Sequence, residues 1–209
     1  MLAFNALALA ASGVDGAGAA RRIVVLGDSI ASGYGLPESE ALPGRLEAAL
    51  QAAGVAAEVV NAGVSGDTSA GGLARLEWTV GAEPDLVIVE LGGNDALRGL
   101  DPASVERNLD AIIGRLRAEG VAVLLAGMRA PPNMGREYAR EFETLYRDLA
   151  EKHRIGLYPF ILDGVAAVPE LNQADGIHPN RAGVDVIVAR ILPLVQAELE
   201  RARGGGPGP

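Results

Sequence analysis

The sequence predicts an α/β fold built on a parallel, doubly wound sheet, and three observations carry that prediction. Short apolar runs alternate with amphipathic stretches from Arg22 to Arg203, the pattern left by strands that return through helices. The run DLVIVELGG at 85–93 is apolar almost throughout, as expected of a strand buried on both faces. The unusual polar clusters follow the expected strands or sit in the loop before the last helix. A doubly wound sheet binds its ligands beyond the carboxyl ends of its strands, so these clusters are expected to share one end of the molecule.

In chain order, IVVLG (23–27) is the first expected strand. A helix is expected over PESEALPGRLEAALQAAG, stopped by Gly54, because glycine readily takes the left-handed backbone that ends a helix. AEVVNAG (57–63) is the second strand, and GDTSAGGLARLEWTV a second helix weakened by its glycines. After DLVIVELGG, Asp101 and Pro102 read as an N-cap with proline at the first helical position, and Gly120 as the stop. VAVLLAG (121–127) is the fourth strand, GREYAREFETLYRDLAEKH a helix, and IGLYPF a fifth, weaker strand. A last helix is expected from Pro179 to Arg203, bent at Pro193.

The bounds agree with one folded unit. A chain of 209 residues, 49% hydrophobic, suits one domain over 21–203. A formal charge of -9 disfavours nucleic-acid binding, which needs a basic face for the phosphates. With no cysteine, disulfides, zinc-thiolate sites and thiol nucleophiles are excluded. Residues 1–20 stand apart: LAFNALALAA and the small residues after it resemble the apolar core and cleavage zone of a signal peptide, but the basic start is missing. An export signal and an ordinary loose N-terminus both fit. Ten apolar residues cannot cross a bilayer, so no integral membrane span is expected. Residues 204–209, GGGPGP, read as a disordered tail.

The candidate chemistry follows by elimination. Of the two histidines, His153 ends a charged helix and is expected to be a solvated helix-end residue. His178 lies in ADGIHPN, braced by Gly176 and Pro179, with Asp175 three residues earlier. Asp175 either caps backbone amides of a plain turn or orients the imidazole so that its other nitrogen can act as a base. Ser29, in GDSIASGYG directly after the first strand, is the leading nucleophile, the alternative being that it only caps a helix there. Asp28 reads as a hydrogen-bonding partner and not a catalytic acid. For a developing oxyanion, Asn94 of GGND offers a side-chain amide and Gly66 of SGD an open backbone N–H, although both are also ordinary turn residues.

Together GDS, the glycine block VNAGVSGDTSAGGLARL, VELGGNDALRGL and DGIHPN resemble the SGNH (GDSL) hydrolases, specifically their bacterial thioesterase I, arylesterase and lysophospholipase subgroup. The likeness covers most of Arg22 to Glu200, and the first motif departs only in reading GDSI for GDSL. It implies a flavodoxin-like three-layer α/β/α sandwich with a central five-stranded parallel sheet. It implies hydrolysis of carboxylic esters and thioesters, a catalytic triad of Ser29, His178 and Asp175, and an oxyanion hole of Ser29, Gly66 and Asn94. It also implies a periplasmic or secreted location.

On this reading no metal and no organic cofactor is needed, the partner is a small ester or acyl thioester, and the protein is a monomer. A carbohydrate or other short-chain acetylesterase would use the same residues, and a non-catalytic binding module is the remote alternative. In MRAPPNMGREY after the fourth strand, Pro131 and Met134 are expected to line an acyl groove, unless Met134 simply packs inward. The resemblance implies that the corresponding loop covers the acyl chain.

Overall fold

A computed structural model describes residues 20–81 and 83–204. The signal-like segment, save Ala20, and the tail beyond Gly204 lie outside the described residues. The sheet comprises β1 (Arg21–Gly27), β2 (Ala57–Gly63), β3 (Leu86–Glu90), β4 (Ala122–Ala126) and β5 (Gly156–Tyr158), in the order β2-β1-β3-β4-β5. Every pairing is parallel, and the register sets Gly27 beside Gly63 on one side and Glu90 on the other. From β1 the chain moves outward to β2, then returns to β3 on the opposite flank of β1. The seam between β1 and β3 is therefore the switch point, where the loops leaving the two strands diverge and open a crevice.

Seven α-helices complete the described residues: α1 (Ser29–Ser32), α2 (Leu42–Ala52), α3 (Ser69–Val80), α4 (Gly93–Leu97), α5 (Pro102–Ala118), α6 (Arg136–His153) and α7 (Arg181–Arg203). α2 packs on α7 and both rest on the sheet, while α3, α5 and α6 pack in succession and contact β1, β4 and β5. The result is the expected three-layer sandwich. Ile23–Leu26 and Leu86–Val89 are at most 1% exposed, and burying each such aliphatic side chain stabilises the fold by about 1.5–3 kcal/mol. α6 turns Phe142, Leu145, Tyr146 and Leu149 inward, the spacing of one helical face.

The helix starts are chemically specified. Asp101 accepts from the Ala103 N–H ahead of Pro102, Thr68 from the Gly71 N–H, and Asn180 from the Gly183 N–H, each satisfying a donor that the first turn leaves open. Four expectations change. The helix expected from Pro37 is split: Glu38–Glu40 forms a 3-10 turn, Ala41 is extended, and α2 begins beside Pro43 and ends before Gly54. GGND is the start of α4 and not a plain turn. α7 begins at Arg181 and not at Pro179, with Pro193 inside it. His153 is not a solvated end residue, because its Nε2 lies 2.6 Å from Asp110 Oδ1 and its side chain is 16% exposed.

Candidate active site

β1 delivers the chain into a tight turn. Asp28, and not Ser29, caps α1, its Oδ1 accepting from the Ile30 N–H at 3.0 Å. That leaves the Ser29 hydroxyl to meet His178, with Oγ 2.9 Å from Nε2. Across the ring, His178 Nδ1 lies 2.7 Å from Asp175 Oδ2. Asp175 Oδ1 meanwhile accepts from the N–H groups of Ile177 and His178 at 2.9 and 3.0 Å. Asp175 thus caps the turn with one oxygen and meets the ring with the other. The bond to the imidazole, then those to the two N–H groups, lower the Asp175 pKa to about 2. An ionised carboxylate can only accept, so Nδ1 carries the ring proton and a neutral ring offers Nε2 to the serine hydroxyl.

A buried carboxyl group holds this turn from below. Glu90, at the end of β3 and wholly buried, accepts through Oε2 from the N–H groups of Asp28 and Ala31, both at 3.2 Å. The approach needs glycine at position 27, because a Cβ there would fall 2.4 Å from Glu90 Oε2. Asp28 Oδ2 accepts from Asn94 Nδ2 at 3.0 Å, linking the Ser29 turn to α4. Burial raises the Asp28 pKa, and burial reinforced by the Asp28 charge raises that of Glu90 well above the ordinary carboxyl range.

Gly66 lies in the loop after β2 with φ 82°. Its carbonyl accepts from Arg98 Nη2 at 2.8 Å, and neighbouring Ser65 bonds Ser32 of α1 through their hydroxyls at 2.9 Å. Buried Arg75 braces the same region: it donates to Asp67 Oδ2 at 2.7 Å and to the carbonyls of Ala62 and Gly27 at 2.8 and 2.9 Å. One guanidinium thus ties the ends of β1 and β2 to the Gly66 loop.

Ser29, His178, Asp175, Asp28 and Asn94 therefore gather at the β1–β3 seam, and Gly66 is fastened beside them through Ser65. Pro131 and Met134 lie outside this set of bonds. Pro131 precedes a 3-10 turn at Pro132–Met134 that Met134 ends, and the half-buried Met134 points its methyl group at Gly99, just past α4. Sequence reading missed Glu90, Arg75, Tyr34 and Gln173. Glu90 does leave a signal, a carboxylate closing an otherwise apolar strand. The others look like ordinary helix or loop residues.

A hydroxyl, an imidazole and a carboxylate in series, at the switch point of a parallel sheet, form the arrangement of hydrolases that work through a nucleophilic serine. The chain belongs to the GDSL-like lipase/acylhydrolase family, whose model matches residues 25–186. It is 44% identical over 179 residues to Esterase TesA of Pseudomonas aeruginosa, covering 85% of this chain and 89% of that one. Thioesterase 1/protease 1/lysophospholipase L1 of Escherichia coli K12 is 40% identical over 184 residues, with 86% and 87% covered. The crystal structure of AlinE4, an SGNH-hydrolase family esterase, aligns with a TM-score of 0.73 at 46% identity, over 86% of this chain and 97% of that one.

Proposed function

We propose that the protein hydrolyses carboxylic esters and acyl thioesters through an acyl-enzyme on Ser29, with Ser29, His178 and Asp175 as its triad. The observation that carries this reading is the continuous pair of bonds Ser29 Oγ–His178 Nε2 and His178 Nδ1–Asp175 Oδ2, at 2.9 and 2.7 Å. His178 takes the hydroxyl proton as Ser29 attacks the acyl carbon, and Asp175 stabilises the imidazolium that forms. Ser29 is the first residue of α1, so its N–H is one of the donors a helix start leaves open. With the Gly66 N–H and the second amide hydrogen of Asn94, it faces the oxyanion. His178 then returns the proton to the leaving alcohol or thiol, and water repeats the sequence on the acyl-enzyme.

The test is fluorophosphonate labelling, with the adduct located by mass spectrometry, beside turnover of p-nitrophenyl esters and acyl-CoAs. An adduct on Ser29, with loss of labelling and turnover in Ser29→Ala, is the expected result. Undiminished turnover by Ser29→Ala would end the reading.

The apolar stretch Leu2–Ala11 supports export to the periplasm or medium. Cell fractionation and N-terminal sequencing of the mature protein test it, and an uncleaved cytosolic chain would refute it. One chain supplies every residue named, which supports an active monomer. Sedimentation of an active species larger than one chain would contradict that.

A further inference from the structure

Gln173 lies five residues before His178 and reaches across to the loop that carries the nucleophile. Its side-chain amide donates to the Tyr34 carbonyl at 2.7 Å and to the Pro179 carbonyl at 3.0 Å. Its backbone N–H donates to the His178 carbonyl at 2.8 Å. Tyr34 in turn donates its N–H to the Ser29 carbonyl at 3.0 Å and lays its ring against the imidazole, with centroids 4.5 Å apart. One amide therefore joins the segment that follows Ser29 to the segment that bears His178. The approach is tight, because a Cβ on Gly35 would fall 2.3 Å from Gln173 Oε1, and Gly35 has φ 75°.

Other bonds fasten the histidine loop to its own stem. Asn172 donates to the carbonyls of Val165 and Val168, and Asn180 donates to those of Glu170 and Asn172. All of these run within 165–180. They give the loop a shape without fixing where it sits relative to the Ser29 turn.

We propose that Gln173 is a positioning residue that sets the Ser29–His178 separation by bridging the two loops, with Gly35 as the opening that admits its side chain. The proposal rests on the reading of Ser29 and His178 as nucleophile and base. Proton transfer needs hydrogen-bond contact between the two, and a misplacement of about 1 Å costs on the order of 10²-fold in rate. The side-chain donors of Gln173 are spent on two backbone carbonyls. Their loss therefore falls on the chemical step and not on substrate affinity.

The experiment compares wild type, Gln173→Leu, Gly35→Ala and the double variant on p-nitrophenyl butyrate, with thermal melting and the rate of fluorophosphonate labelling measured alongside. Gln173→Leu removes both donors, and Gly35→Ala pushes the side chain away. Each is expected to lower kcat by roughly 10–100-fold with KM changed less than about two-fold. Labelling should slow by a similar factor, and Gln173→Leu should melt as wild type does. Because both substitutions break one bridge, the double variant should be little worse than the stronger single one. Gln173→Glu, an acceptor where two donors are needed, should behave like Gln173→Leu. Wild-type kcat in Gln173→Leu, a change confined to KM, a fall in its melting temperature that accounts for the lost activity, or additive losses would each overturn the proposal. A wild type that is neither labelled nor active would instead sink the reading of the site beneath it.

Discussion

Asn94 does not reach its place at the switch point unaided: its side-chain amide is held 3.0 Å from Asp28 Oδ2, and Asp28 is itself fixed by capping α1. One amide hydrogen is spent on this bond, which aims the other. Asn94→Ala should therefore lower kcat by roughly 10²–10³ with KM little changed. Asp28→Asn keeps the shape but loses the charged acceptor, and should cost roughly 10–100-fold. The Asp28→Asn loss should shrink in an Asn94→Ala background, because the two act through one bond. A full, independent loss in that background would give Asp28 a separate role.

Ser29 and His178 are expected to act as one unit. Ser29→Ala and His178→Ala should each abolish most ester turnover while the circular dichroism of the fold is retained. The double variant should be little worse than either single one, since a nucleophile without its base and a base without its nucleophile fail at the same step. Multiplicative losses in steady-state kinetics would show that the two work separately.

Glu90 yields a prediction about stability. Burial raises its pKa well above the ordinary carboxyl value, so the folded protein binds that proton more tightly than the unfolded chain does. The group's contribution is therefore most favourable in acid, and stability falls as pH rises past the unfolded value toward the folded one. Glu90→Gln keeps an oxygen for the Asp28 and Ala31 N–H groups and has nothing to titrate. Its melting temperature relative to wild type should rise from about pH 4 to about pH 8, on a baseline lowered by the amide N–H groups placed where Glu90 Oε1 has no partner. Each pKa unit is worth about 1.4 kcal/mol, and each kcal/mol about 2–4 °C in a chain of this size. Calorimetry at the two pH values decides, and a pH-independent gap would assign the change to packing. Glu90→Leu, which offers no acceptor, should lower kcat as the nucleophile turn loosens.

What was legible in the sequence was whatever a short stretch decides by itself. Ile23–Leu26 and Leu86–Val89 are buried on both faces, so their apolar runs appear uninterrupted. Ser29, His178 and Asp175 stand out in the sequence because few other residue types can do the chemistry proposed for them, and because the sheet puts its polar loops at one end. What was missed depends on partners far along the chain. Arg75 caps Gly27 from 48 positions away, and Gln173 meets Tyr34 from 139. Nothing local distinguishes either from a solvated side chain. His153 is a further case, its partner Asp110 lying 43 residues earlier on α5. In GGND the two glycines hid the start of α4, because glycine lowers helix propensity even where a tertiary contact, here the bond from Asn94 to Asp28, favours the helix.

The remaining prediction concerns acyl chain length and rests on where Met134 points. Its methyl group packs toward Gly99, immediately beyond the helix that carries Asn94, and Pro131 stands at the other end of the same 3-10 turn. A half-buried methionine is flexible and polarisable, suited to apolar chains of varied shape. If an acyl chain leaves Ser29 past α4, it meets this turn after its first few carbons. Each methylene it buries is worth about 0.8 kcal/mol. On that basis kcat/KM for p-nitrophenyl esters should climb from acetyl toward medium chains, by at most roughly four-fold per carbon, and level off once further methylenes no longer reach the turn. Met134→Ser should flatten the climb while leaving acetyl ester hydrolysis nearly unchanged, because acetyl ends before the turn. Pro131→Gly, which frees the backbone there, should do so more weakly. An equal loss on acetyl and octanoyl esters would mean that the turn supports α4 and the Asn94 amide, and that chain length is read elsewhere.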